Sequence, residues 1–419
     1  MASRRSTPDG LRLLLAATVM VSLLWGAVAA WTVAQRTSAA NDVVASSEPL
    51  SFDAQQIYQS LSDADATEAA AFLAGTEPPG GRSRYLADIA RATTYLEIAT
   101  AATGNQRNRS QLIVLSTGIP LYTGVVEDAR ADNRLGLPVG SSYVAEASAL
   151  MRAKLLPAAD SFYQQENARL GAADDQATGL PILAVIVAAA AAYVLIAAQR
   201  REARRTHRNF NHGLVAASAA GLVSFIWLIA GLSLARVQLL DARDHGSAPV
   251  AALAQADIAA LRAHADESLT LINRSGDDPS QADFLGVENQ LGPGPGTLLS
   301  TASAAAAGSD GARPAAAAAA AAPVWYATHR QVRAVDNSGG YTAAVQLAIG
   351  SGPASSSTEF TRLVGGLTAA ISADQAAFSS AAHSGQDAMT GLTAGMIVIS
   401  LGMAAGCGWG LSRRLAEYR

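Results

Sequence analysis

Four unbroken apolar runs, 13–33, 180–198, 213–235 and 391–411, dominate the pattern of hydrophobic and polar positions. Their lengths of 21, 19, 23 and 21 residues give helices of roughly 28–35 Å at ~1.5 Å per residue, the thickness of a bilayer's hydrocarbon core. None contains Asp, Glu, Lys, Arg or His. The pattern predicts an all-α membrane protein with four transmembrane helices.

Between the runs lie two long mixed segments, 34–179 and 236–390. Apolar positions there recur at helical spacing, as in Leu86, Ile89, Thr93 and Leu96, or Ile258, Leu261, Ala265, Leu269 and Ile272. Such narrow seams predict two helical-bundle domains. Breaks of about four helices each are expected at Pro49, 78–81, 105–108 and 133–140, then at Pro249, 276–279, 293–296, 308–314 and 337–340. The tract 302–323, with alanine throughout 315–322, offers little apolar mass and is expected as a loop ending in a helix start.

The layout of span, bundle and span occurs twice, which suggests a tandem duplication. A shift of 201 places Ile57, Ala64, Asp65 and Gly75 on Ile258, Ala265, Asp266 and Gly276. A shift of 198 places Tyr143 and Ala145 on Tyr341 and Ala343.

Composition sharpens this picture. Only 15% of residues are charged, against about 25% in soluble proteins. The single cysteine, Cys407, excludes a disulfide framework and a cysteine zinc site. The net charge of −4 conceals a partition and suggests no nucleic-acid partner. The short stretches 1–12, 199–212 and 412–419 carry 11 basic residues against Asp9, Glu202 and Glu417. The two long segments carry 19 basic and 31 acidic residues. Both termini and the middle loop are therefore expected in the cytoplasm, with both bundles extracytoplasmic. Ala27-Val28-Ala29 has the small-x-small form of a signal-peptide cleavage site, but the 21-residue run exceeds a typical signal core of about 7–15 residues. An uncleaved anchor is expected.

Catalytic chemistry finds little support. The six histidines show no HxxxH or HExxH spacing, and Gly292, Gly294 and Gly296 alternate with proline instead of opening a helix. Asp63, Asp65, Asp266 and Glu267 are expected on solvated faces, as are Arg82, Arg84 and Arg91. No enzyme, metal or cofactor is expected, and spans without ionisable residues argue against ion-coupled transport.

Two surfaces remain. Arg200, Arg201, Arg204, Arg205 and Arg208, with Arg413 and Arg414, form a candidate face for anionic lipid or a cytoplasmic partner. Gly402, Gly406 and Gly410, with Ala217 and Gly221, sit at one-turn spacing and are candidate helix-packing positions within the chain or in a homodimer.

Two span–bundle–span units without an output domain look like paired chemoreceptor-type sensory modules. The strings 57–67 (IYQSLSDADAT), 72–75 (FLAG), 265–271 (ADESLTL) and 414–419 (RLAEYR) resemble the actinobacterial GlnX family. Alanine-rich usage with arginine in place of lysine fits such a source. The resemblance implies a relay between GlnH, a solute-binding lipoprotein that senses aspartate or glutamate, and the cytoplasmic serine/threonine kinase PknG. The alternatives are a direct small-molecule sensor and an accessory subunit of an envelope or transport complex.

Overall fold

The computed structural model describes residues 7–74, 80–102, 108–137, 139–206, 211–273, 279–292 and 294–416. Arg4, Arg5, Gly75, His207, Arg208, Gly276 and Arg419 lie outside the described residues, as do the side chains of Arg205 and Arg414. The structure is 91% helical, with no strand among the described residues. It is an all-α membrane protein.

Five helical stretches are long and apolar enough to cross a membrane: Arg12–Leu73, Arg109–Arg134, Gly140–Arg204, His212–Ile272 and Ser356–Arg413. Four contain the apolar runs. The remaining one, Arg109–Arg134, buries Leu112, Leu115, Ile119, Tyr122 and Val126 in the core of the polar part of the chain.

Contacts divide the chain into two compact units. The first comprises Met1–Val43, Ala173–Leu240 and Ala381–Arg419. Its main helices are α1 (Thr7–Asp42), α7 (Ile182–Thr206), α8 (His212–Ala242) and α15 (Leu392–Ala416). They share one cluster that includes Trp25, Leu195, Leu228 and Cys407. Trp25 Nε1 donates to Ser224 Oγ at 2.9 Å. Large apolar side chains face outward on all four helices, Met20, Ile186, Leu222 and Val398 among them. A surface of this kind is suited to lipid.

The second unit comprises Val44–Ala172 and Asp241–Ser380. The two polar segments, expected as separate bundles, form one body with a common hydrophobic cluster. Its helices are α2 (Glu48–Leu73), α3 (Gly81–Ala102), α4 (Arg109–Arg134), α5 (Gly140–Leu150) and α6 (Leu156–Thr178), then α9 (Ala248–Asn273), α10 (Pro279–Leu291), α11 (Leu298–Ala305), α12 (Ala312–Asn337), α13 (Tyr341–Ile349) and α14 (Ser356–Ala388). Ile57 and Leu61 of α2 and Leu253 and Leu261 of α9 are fully buried in this shared core. Narrow alanine-rich seams leave each half too little apolar mass to close a core alone, and joining them buries both.

Pro49 and Pro249 do not break their helices. Each follows a π-helical turn, Val43–Ser47 and Arg243–Ser247. The third π turn, Met151–Leu155, precedes Pro157. A proline ring clashes with the carbonyl four residues back. In all three cases that carbonyl (Ala45, His245 or Ala153) lies inside the widened turn. The π turn absorbs the clash and the helix continues.

The duplication is visible in the elements. Both α2 and α9 have 26 residues and follow a π turn; both α4 and α12 have 26 residues and an internal proline. A shift of 203 carries Pro120, Tyr122, Arg130 and Gly136 onto Pro323, Trp325, Arg333 and Gly339. The two glycines both adopt positive φ, 69° and 90°. The alanine tract corrects the loop expectation. Residues 315–322 lie within α12, with Ala315, Ala318, Ala321 and Ala322 buried. Small side chains permit the close approach of α14, where a Cβ on Gly366 would stand 3.0 Å from Ala318 Cβ.

Candidate functional site

Among the candidate packing residues of the membrane unit, the structure separates participants from bystanders. A Cβ on Gly410 would lie 2.9 Å from Gly213 Cα, and one on Gly406 would lie 3.3 Å from the Gly213 carbonyl oxygen and 3.8 Å from Ala217 Cβ. Gly213 itself would meet the Gly406 carbonyl at 2.5 Å. Asn211 Nδ2 closes this end by donating to the Gly410 carbonyl at 3.1 Å and to Glu202 Oε2 at 2.9 Å. Gly221 faces the flexible Met403 side chain, and a Cβ on Gly402 would meet nothing within 4 Å. The contact is thus Gly213 and Ala217 against Gly406 and Gly410. Gly213 was missed by the sequence reading although it lies one turn before Ala217 on the same helix, at the spacing that marked Ala217 and Gly221.

Arg200, Arg201, Arg204 and Arg413 are exposed. Arg413 rests over the Trp409 ring at 5.1 Å. In the second unit Arg82, Arg84 and Arg91 are exposed. Arg82 pairs with Glu127 at 3.3 Å and Arg91 with Asp88 at 2.9 Å, so these arginines are engaged along the helix surface.

The carboxylates expected on solvated faces are largely buried. Asp65, Asp266 and Glu267 are 3%, 1% and 1% exposed, and Asp63 is half-buried. In the first half, Tyr122 Oη and Ser148 Oγ donate to Asp65 Oδ1 at 3.1 and 3.0 Å. One helical turn on, Arg130 Nε donates to Glu68 Oε2 at 2.8 Å and its guanidinium covers Tyr85 at 4.7 Å. In the second half, Glu267 Oε1 receives His329 Nδ1 at 3.0 Å and Ser356 Oγ at 2.5 Å. Its Oε2 faces His264 Nδ1 at 3.3 Å and Trp325 Nε1 at 3.4 Å. His264 stacks on Phe360 at 3.9 Å and His329 on Phe284 at 3.6 Å. Tyr122 and Trp325, 203 positions apart, thus each donate to a carboxylate from equivalent helices.

Electrostatics divide these groups. Burial raises Glu267, but hydrogen bonds from His264 and His329, with the electrostatic attraction of those imidazoles, outweigh it and bring the carboxyl to about 2. Burial pushes Asp65 up to about 6 against the hydrogen bonds of Ser148 and Tyr122. Burial, with the charge of Asp88, lifts Asp63 to about 6. Among the described residues no group of three His, Cys, Asp or Glu side chains could hold a metal ion.

Within this unit an open cleft of about 750 Å³ lies between the halves of the repeat, walled by α2, the Met151–Leu155 turn, α6 and α9–α11. Its charged lining is Arg152, Asp160, Arg262, Asp266 and Asp283, and its apolar wall includes Leu156, Ile258 and Val287. Arg152 Nη1 donates to Asp266 Oδ1 at 3.2 Å. Burial raises Asp266 to about 7, opposed by Arg152 and reinforced by Asp283. The π turn supplies Arg152, a device that recurs at functional positions. The sequence contained no sign of this cleft, because its walls come from opposite halves of the chain.

Residues 39–175, the last turn of α1 through most of α6, match the family model described as an actinobacterial sensor domain. No curated protein and no solved structure was found to match the chain. The family match covers the first half of the repeat and supports an actinobacterial sensor protein, embedded in a membrane by its apolar helices.

Proposed function

We propose that this sensor is a non-enzymatic transmembrane relay. Its polar unit lies outside the cell, while both termini and the arginine-rich loop 199–212 lie in the cytoplasm. Its state passes from a GlnH-like aspartate- or glutamate-binding lipoprotein to a PknG-like serine/threonine kinase. The observation that supports this most is helical continuity. Every boundary between the two units, at Val43, Ala173, Leu240 and Ala381, falls inside a helical stretch. A packed helix can carry a displacement of about 1–2 Å between two discrete arrangements. For a signal to result, each partner must bind the two arrangements with different affinity. The glycine contact of α8 with α15 suits such a shift, since close backbones can slide without moving large side chains. Arg200, Arg201, Arg204 and Arg413 would face the kinase or the anionic leaflet.

Affinity purification of the tagged protein from native membranes after mild cross-linking tests this reading. Recovery of a solute-binding lipoprotein and a soluble kinase, in amounts that change with external aspartate or glutamate, is the expected outcome. Recovery of neither discards the relay. Direct sensing is the second reading, favoured by the cleft between the halves.

A further inference from the structure

We infer that the cleft between the repeat halves is a binding site for a small zwitterion carrying an ammonium and a carboxylate, of free amino-acid size. Its volume of about 750 Å³ falls within the range of small-ligand sites. It is excessive for an inorganic ion.

The lining selects the charge pattern. Asp266 is 1% exposed, yet only its Oδ1 is engaged by Arg152; its Oδ2 accepts no hydrogen bond, and Arg152 Nε donates none. A buried carboxylate oxygen and a buried guanidinium N–H of the cleft lining are therefore left with capacity to spare. Orphaned polar groups of this kind are costly and call for a partner. An ammonium satisfies the first and a carboxylate the second. Nearer the rim, the exposed Arg262 and Asp283 add one charge of each sign to the lining. A simple anion would confront three carboxylates, and a simple cation two guanidiniums; a zwitterion meets both signs. The apolar wall of Leu156, Ile258 and Val287 then accommodates a side chain.

Such a ligand would touch α6 and the Met151–Leu155 turn from one half and α9 and α10 from the other. Its binding would favour one packing of the halves over another. The inference rests on the sensing reading for its consequence, while binding itself needs no partner protein.

The test is calorimetry on the full-length protein in nanodiscs, titrated separately with each of the twenty common L-amino acids and with the deaminated and decarboxylated analogues of any that bind. Saturable binding of at least one amino acid is expected, with both analogues weaker by about tenfold or more. Arg262→Gln and Asp283→Asn, both at exposed side chains, should each weaken it to a similar extent, and Arg262→Lys should recover part of the loss. Circular dichroism and melting temperature establish that the variants are folded. No binding by any amino acid, equal binding of the singly charged analogues, or affinity unchanged in both variants overturns the inference. Those results leave the protein-borne input untouched, because co-purification of the lipoprotein tests it separately.

Discussion

His329 and Glu267 meet at 3.0 Å inside the polar unit, with Glu267 1% exposed and the imidazole flat against Phe284 at 3.6 Å. One carboxylate there gathers two imidazoles, an indole and a hydroxyl contributed by three helices. It ties α9 to α12 and to the start of α14.

Glu267→Leu removes the shared acceptor of His264, His329 and Ser356 in a dry site, while Trp325 Nε1 keeps Ser356 Oγ at 3.0 Å. A loss of about 3–5 kcal/mol is expected, the cost of breaking one partner of a buried charged network. Glu267→Gln keeps one acceptor and should lose less. Chemical unfolding of the full chain checks both; equal stability of Glu267→Leu and wild type would show that the cluster is not a structural tie.

The buried carboxyls set an uncommon pH dependence. Asp63 and Asp65 titrate near 6 and Asp266 near 7 in the folded chain, against a usual 3.8. The folded state therefore holds protons that the unfolded state releases, and this stability is lost as pH rises from about 4 to 7. Glu267 acts oppositely: with its value brought down to about 2 from 4.5, its contribution is lost only as pH falls below about 4. Melting temperature should rise on acidification from pH 8 to 5 and fall again below 4. Asp266→Asn should flatten the slope between pH 5 and 8. A melting temperature that falls steadily from pH 8 to 5 contradicts the assignment.

The fold class was readable from the apolar runs, since a 20-residue uncharged stretch has few other structural solutions. The buried polar groups were not. In an alanine-rich bundle the apolar seam is narrow, so Asp65 and Glu267 fall beside it on a helical wheel and look solvated. The packing of α4 and α5 over α2, and of α12 and α14 over α9, covers them. The prolines misled for a related reason. Pro49 and Pro249 read as breaks because the π turns that accommodate them leave no sequence mark beyond the proline itself. The duplication was visible in sparse matches, yet its clearest register, Pro120 with Pro323 and Arg130 with Arg333, emerged only with the helices in place.

The two glycines at the ends of the 402–410 series should behave differently. Gly402→Leu adds a side chain where nothing lies within 4 Å, and abundance and stability should change by less than about 0.5 kcal/mol. Gly410→Leu drives bulk into Gly213, 2.9 Å from the new Cβ, and should cost about 1–3 kcal/mol or separate α8 from α15. Detergent-solubilised melting curves distinguish them. Equal tolerance at both positions would place the contact elsewhere.

Topology can be read with single cysteines, because the native Cys407 is buried. Cysteine at the exposed Ser110 or Ala282 should react with a membrane-impermeant maleimide on intact cells, whereas cysteine at the exposed Arg200 should react only after permeabilisation. The reverse pattern would invert the proposed orientation.

The central claim is that an event on the polar unit changes what the arginine-bearing side presents. Its most direct test compares wild type with Gly406→Ala, in which the new Cβ presses the Gly213 carbonyl at 3.3 Å. The readout is the amount of cytoplasmic kinase cross-linked to each protein in native membranes, with and without external aspartate or glutamate. The account predicts a stimulus-dependent change in wild type that is reduced in the variant at equal protein abundance. Kinase recovery that is indifferent to the stimulus in wild type would contradict it.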